Sequence, residues 1–159
     1  RDFELIRSVL RNMQSLLNRN SSGFETTFLP APGRFNFART IISGVLATSF
    51  SNGKSLKGSL KARAQDGSDV EIPLDKILIQ VPFAFTTRDG QIITLIHEMA
   101  HYVGGDDGSA ESIDDPPNGN SSPEEIAKLP PDRRPHIAEN YATFAFEAFF
   151  RRPPIRMRF

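Results

Sequence analysis

The sequence predicts an α+β fold, a small mostly antiparallel sheet framed by helices, and three patterns predict it. Apolar residues recur at helical spacing at both ends of the chain, about residues 3–18 and 136–150. Short runs between residues 41 and 85 alternate apolar with polar residues and are separated by turn residues. A third helix candidate, running to Val103, is the most apolar of all yet carries His97, Glu98 and His101.

Length and composition bound the rest. A chain of 159 residues, 38% hydrophobic and 24% charged, suits one domain with a sizeable core. Residues 1–84 read as an N-terminal helix and sheet region, 85–150 as a metal-site region and 151–159 as a basic tail. Lys+Arg and Asp+Glu are both 19, so nothing marks a nucleic-acid or membrane-surface binder. No apolar run approaches the length of a membrane span. The absence of cysteine excludes a disulfide framework and a thiolate metal site. The chain opens on Arg1 rather than Met, the expectation for a processed product or excised fragment from which any signal peptide is already missing.

The first helix follows from Phe3, Ile6, Val9, Leu10, Met13, Leu16 and Leu17, with Asp2 as its cap and Asn18 to Gly23 as its stop. Pro30, Pro32 and Gly33 then punctuate the chain, with Phe28, Phe35 and Phe37 read as core anchors. Ile41 to Phe50 is apolar and fits either strand or helix. Leu60, Ala62 and Ala64, then Val70, Ile72 and Leu74, alternate with polar residues around Asp66-Gly67-Ser68, which is a hairpin signal. Ile77 to Phe85 reads as a further strand, with Pro82 favouring an edge or a strand end. An edge beside the histidine helix would either accept an extended peptide by backbone pairing or carry no ligand at all.

The turn Thr86 to Gly90 leads into that helix, and Gly104-Gly105 stops it. Residues 104–135 form a loop rich in Gly, Asp, Ser, Asn and Pro, with a short helix starting at Ser122-Pro123-Glu124-Glu125. A loop of that length directly after candidate ligands favours a functional role. The last helix, about His136 to Phe150, presents Ile137, Tyr141, Phe144, Phe146, Phe149 and Phe150 for burial. Arg151 to Arg156 reads as a solvated basic end.

The chemistry sits in His97-Glu98-Met99-Ala100-His101. Residues four apart lie one above the other on a helix, so both imidazoles face one ion and Glu98 lies beside them to handle a metal-bound water. A buried helix does not ordinarily carry His, Glu and His without a compensating role. This is the arrangement of zinc-dependent peptidases. A catalytic zinc needs a third protein ligand. Without cysteine, that ligand is His136 or a carboxylate, and Asp106, Asp107, Glu111, Asp114, Asp115, Glu139 and Glu147 are the candidates.

In these residues and the segments that follow them, the chain resembles the aspzincins, the deuterolysin-like and lysine-specific zinc metalloendopeptidases. Thr94 to His101 matches the family's first element, Ser112 to Gly119 resembles its Gly-Thr-x-Asp-x-x-Tyr-Gly segment, and Ala138 to Ala145 resembles its following helix. The likeness covers about residues 85–150, and residues 1–84 carry no specific motif. It implies a zincin-like metallopeptidase domain with His97, His101 and Asp115 on zinc; Asp114 is the second choice and the Asp106/Asp107 pair the third. The Gly-Thr pair is absent, the Asp lies further from His101, and Asn118 stands where the family has its oxyanion-stabilising Tyr. The fungal deuterolysins also contain cysteine, so the resemblance is to a divergent member.

The expected reaction is hydrolysis of a protein or peptide substrate, with Glu98 as general base. Asn118, Tyr141 or Tyr102 would face the developing oxyanion, and Glu139 or Asn140 would hold a ligand imidazole in its tautomer. Zn²⁺ is the only cofactor implied, and neither nucleic acid nor membrane is an expected partner. The acidic loop between Asp106 and Glu125 hints at basic side chains near the scissile bond. A secreted enzyme, or a domain delivered outside the cell, fits the resemblance. The alternatives are a zinc-binding module without turnover and a hydrolase of a non-peptide amide.

Overall fold

The N-terminal helix α1 (Asp2–Asn18) forms where its periodicity predicts it. In the computed structural model, which describes residues 2–18, 27–30, 47–49, 53–63, 67–104, 112–117 and 122–155, its buried stripe is Leu5, Val9, Met13 and Leu16. Steps of four and three keep these four on one face, and burying each contributes about 1.5–3 kcal/mol. Phe3 and Leu17, expected inside, fall off that stripe and are 72% and 55% exposed. Phe28 is buried as expected, whereas Phe35, Phe37 and residues 41–46 lie outside the described residues.

Among the described residues five short strands follow: β1 (Phe28–Pro30), β2 (Ala47–Thr48), β3 (Ser59–Arg63), β4 (Asp69–Pro73) and β5 (Ile77–Ile79). β3 and β4 pair antiparallel from Ser59↔Pro73 to Arg63↔Asp69, the hairpin that the alternation predicts. β5 pairs parallel with β1 and antiparallel with β2, giving the order β1-β5-β2. Of the two places expected from Pro82, the edge is overturned and the strand end holds, since Pro82 lies beyond the last residue of β5. Ile77 and Leu78 are consecutive and both buried, the mark of a strand covered on two faces. The strand is also shorter than predicted. It ends at Ile79, and Val81–Phe85 winds into a 3-10 turn with Pro82 near its start. Pro82 has no N–H for a ladder and fits a helical first turn.

Helix α2 (Arg88–Val103) starts inside the segment expected to be a turn. Thr87 is its cap, with Oγ1 accepting from the Gly90 amide at 3.1 Å. Asp89 and Gly90 thus belong to the first helical turn. At the other end Gly104 adopts φ 55°, which suits glycine, and its amide donates to the Ala100 carbonyl at 3.1 Å. Met99, Ala100 and Val103 of α2 join Leu5, Val9 and Met13 of α1, Ile77 of β5 and Ile113 in one core.

The chain then passes through α3 (Pro123–Ile126), a short helix where one was expected and capped by Ser122, and a 3-10 turn, Arg134–His136, into α4 (Ala138–Phe150). α4 packs along α2. It buries Ala138, Glu139, Tyr141, Ala142 and Phe146, but Phe144 and Phe149 are 59% and 79% exposed, against the expectation of a wholly buried aromatic face. The tail is not simply solvated either. Arg152 forms two hydrogen bonds to Asp89 at the start of α2, described below. Among the described residues no helix is long and apolar enough to cross a membrane.

Candidate metal centre

His97 and His101, one turn apart on α2, bring their Nε2 atoms to 3.1 Å with the rings nearly perpendicular. Asp115 Oδ1 completes a triangle, 3.0 Å from His97 Nε2 and 3.3 Å from His101 Nε2. These three side chains form a group that could hold a metal ion.

Backbone pairing brings Asp115 to the helix. Asp114 and Ile137 form a parallel bridge: the Asp114 amide donates to the His136 carbonyl at 2.7 Å, and the Ala138 amide donates to the Asp114 carbonyl at 3.0 Å. Along an extended segment alternate residues share a side. Ile113 is fully buried in the core, so Asp115 shares its side and Asp114 faces away. The Asp114 carboxylate instead accepts from Ser112 Oγ at 2.9 Å. Of the two adjacent candidates, the bridge selects Asp115.

Each imidazole is held from behind. His101 Nδ1 lies 2.5 Å from the Ile113 carbonyl oxygen, and His97 Nδ1 lies 3.4 Å from Glu139 Oε2. Both partners accept, so Nδ1 carries a hydrogen on each ring and Nε2 is the nitrogen turned towards the triangle. Two imidazole nitrogens and a carboxylate oxygen then face one another across 3.0–3.3 Å, an arrangement that takes up a positive charge, either a proton on Nε2 or a metal ion. Tetrahedral coordination at ordinary nitrogen and oxygen bond lengths would place such donors about 3.3–3.5 Å apart. The residues present fit the ion.

The electrostatics agree. Burial works to lower the pKa of His97, but hydrogen bonds to Asp115 and Glu139 and the charges of Glu98 and Asp115 outweigh it and raise it to about 10. His101 and then His97 hold the Asp115 carboxyl far below the usual carboxylate range, against its desolvation. The Asp115 side chain is nevertheless 66% exposed, so the triangle opens to solvent on that side.

Glu98 is buried beside the triangle at 7% exposure. Its Oε2 accepts from Ser49 Oγ at 2.7 Å. Ser49 and the Ile113 carbonyl were invisible to sequence reasoning. Ser49 lies 49 residues away with no periodic relation to the helix, and a carbonyl has no residue type. Of the two expected imidazole partners, Glu139 takes that place, while Asn140 Nδ2 donates to the Arg134 carbonyl at 2.8 Å and stays with the 3-10 turn.

The remaining candidates stand elsewhere. The Tyr141 hydroxyl donates to the Pro135 carbonyl at 2.6 Å, which makes this residue a core anchor rather than the expected donor to an oxyanion. The Tyr102 hydroxyl donates to the Asp75 carbonyl at 3.1 Å. His136 Nδ1 is 3.2 Å from the Ser112 carbonyl oxygen and outside the triangle. Glu147 is exposed on α4, and Asp106, Asp107, Glu111, Asn118 and Gly119 lie outside the described residues. No protein-family model matches the chain, and comparison with curated proteins and with solved structures finds no match either.

Proposed function

We propose that the protein is a zinc-dependent endopeptidase in which His97, His101 and Asp115 hold the ion and Glu98 is the general base. The observation that carries this reading is the triangle of Nε2, Nε2 and Oδ1 at 3.0–3.3 Å, with a carboxylate on the next residue of the same helix. The resemblance of residues 85–150 to the aspzincins supports the same ligand set.

Bound zinc supplies the Lewis acidity that polarises a peptide carbonyl and activates a water. Glu98 takes the proton of the attacking water and delivers it to the leaving amine, a role that contributes about 10²–10⁴-fold. Glu139 and the Ile113 carbonyl keep Nδ1 protonated on the two rings, which leaves both Nε2 atoms for ligation. The exposed side of Asp115 gives an extended substrate its approach.

The test is digestion of a mixed peptide library by zinc-loaded protein, with Glu98→Ala beside it. Cleavage by the wild type, and a loss of at least about 100-fold in Glu98→Ala with zinc retained, is the expected result. Cleavage by Glu98→Ala at the wild-type rate would overturn the assignment. One observation favours a second reading, a zinc-binding module without turnover: both tyrosine hydroxyls considered for the oxyanion donate to backbone carbonyls instead. A wild type that binds one zinc and cleaves nothing would establish that reading.

A further inference from the structure

Ser49 follows β2 and meets α2 at Glu98. Its Oγ lies 2.7 Å from Glu98 Oε2 and 3.0 Å from the carbonyl oxygen of the same residue. A serine hydroxyl has one proton to donate, and the closer, charged oxygen is the stronger acceptor. Glu98 is 7% exposed, and a carboxylate so enclosed needs a donor to offset its lost hydration. Ser49 Oγ supplies such a donor to Oε2.

We propose that Ser49 is a positioning residue for the general base, fixing Oε2 so that Oε1 is presented to the attacking water. The inference rests on the peptidase reading of the site. Its logic is topological. β2 pairs with the central strand through Ala47↔Ile79 and Thr48↔Leu78, which fixes the backbone immediately before Ser49. The donor therefore stands on the sheet while the base stands on the helix. The packing of α2 against β2 sets the direction of the carboxylate. A flexible glutamate side chain restrained at one oxygen has fewer orientations in which the other is misdirected.

The experiment compares zinc-loaded wild type, Ser49→Ala and Ser49→Thr on a cleaved peptide, and melts the set Ser49→Ala, Glu98→Ala and Ser49→Ala/Glu98→Ala against wild type. Ser49→Ala is expected to keep one zinc by metal analysis, to hold KM within about twofold and to lose about tenfold or more in kcat, part of what a positioned base provides. Ser49→Thr keeps the hydroxyl and is expected to recover most of that loss. In the melts, Ser49→Ala should lower the melting temperature more when Glu98 is present than when it is absent, as a direct pair requires. Wild-type kcat in Ser49→Ala, no recovery in Ser49→Thr, or additive melting shifts would each overturn the proposal. A wild type that holds zinc but cleaves no peptide removes the peptidase reading instead, and the melts then decide the Ser49–Glu98 pairing separately.

Discussion

At the N-terminal end of α2, Asp89 accepts from Arg152 Nη1 at 2.6 Å, from Arg152 Nη2 at 2.9 Å and from the Ile155 amide at 2.9 Å. At the C-terminal end, Asp115 Oδ1 meets the Nε2 atoms of two imidazoles at 3.0 and 3.3 Å. Both clusters join this helix to distant chain through a carboxylate. The first has its cation within the chain, and Arg152 also lies over the Phe146 and Phe150 rings at 5.2 and 5.6 Å. The second pairs its carboxylate with imidazoles, whose positive charge is a proton that a metal ion can replace. A carboxylate closed by a permanent guanidinium reads as a clasp, whereas one that meets two imidazole nitrogens at ligand spacing reads as a candidate metal site.

That contrast is broken most directly with metal. Zinc in excess should raise the melting temperature of the wild type, because a ligand that binds only the folded state stabilises it by about 4 kcal/mol at a thousand times Kd. His101→Ala, which leaves two ligands, should abolish both this rise and turnover, while Arg152→Ala should preserve the rise. Thermal melts with and without zinc check both. A zinc response that survives in His101→Ala, or vanishes in Arg152→Ala, would remove the distinction between the two ends.

A smaller effect sharpens the account of the open cluster. Glu139 is 6% exposed and touches His97 on the side away from the triangle. Glu139→Gln should lower zinc affinity by about 10–100-fold without removing any ligand, the range for groups that orient a metal-bound imidazole. Competition with a chelator measures it. An unchanged affinity would mean that packing alone holds the ring.

The two ends also differ in how far they could be read from the sequence. His97, Glu98 and His101 lie within one turn of a helix, so local geometry alone predicts their convergence. Asp115 needed the resemblance, because its side is set by a bridge between Asp114 and Ile137 that no periodicity announces. α1 and the hairpin were legible for the same local reason, although Leu5 rather than Phe3 proved to anchor the stripe. The proline correctly marked an end of β5 but not its place in the sheet, because a short run of Ile and Leu suits an edge as well as a centre and only its partners β1 and β2 decide. Ser49–Glu98 and Asp89–Arg152 were illegible altogether. Each joins residues 49 or 63 positions apart, and the types involved are common on any surface.

The clasp yields the smallest and most specific prediction, a dependence on acid. The hydrogen bond from Arg152, then that from the Ile155 amide, lower the Asp89 pKa from an ordinary 3.8 to about 2; desolvation opposes them, and the charges of Arg152 and Arg88 add to the lowering. Because the folded value lies below the unfolded one, the native state favours the ionised carboxylate. The resulting stability is fully present above about pH 4 and is lost as pH falls through about 2. Asp89→Asn removes the charge at every pH. The gap in melting temperature between wild type and Asp89→Asn, measured without metal, should therefore stay constant from neutrality to about pH 4 and narrow steadily towards pH 2. A gap that narrows well above pH 4 instead would point to a titrating group other than Asp89. A gap that stays flat to pH 2 would mean that the asparagine loses only shape and packing, so that the charge of Asp89 does not fasten the tail. Narrowing in the acid window alone is the outcome that keeps the two ends of α2 independent, one answering to protons and the other to metal.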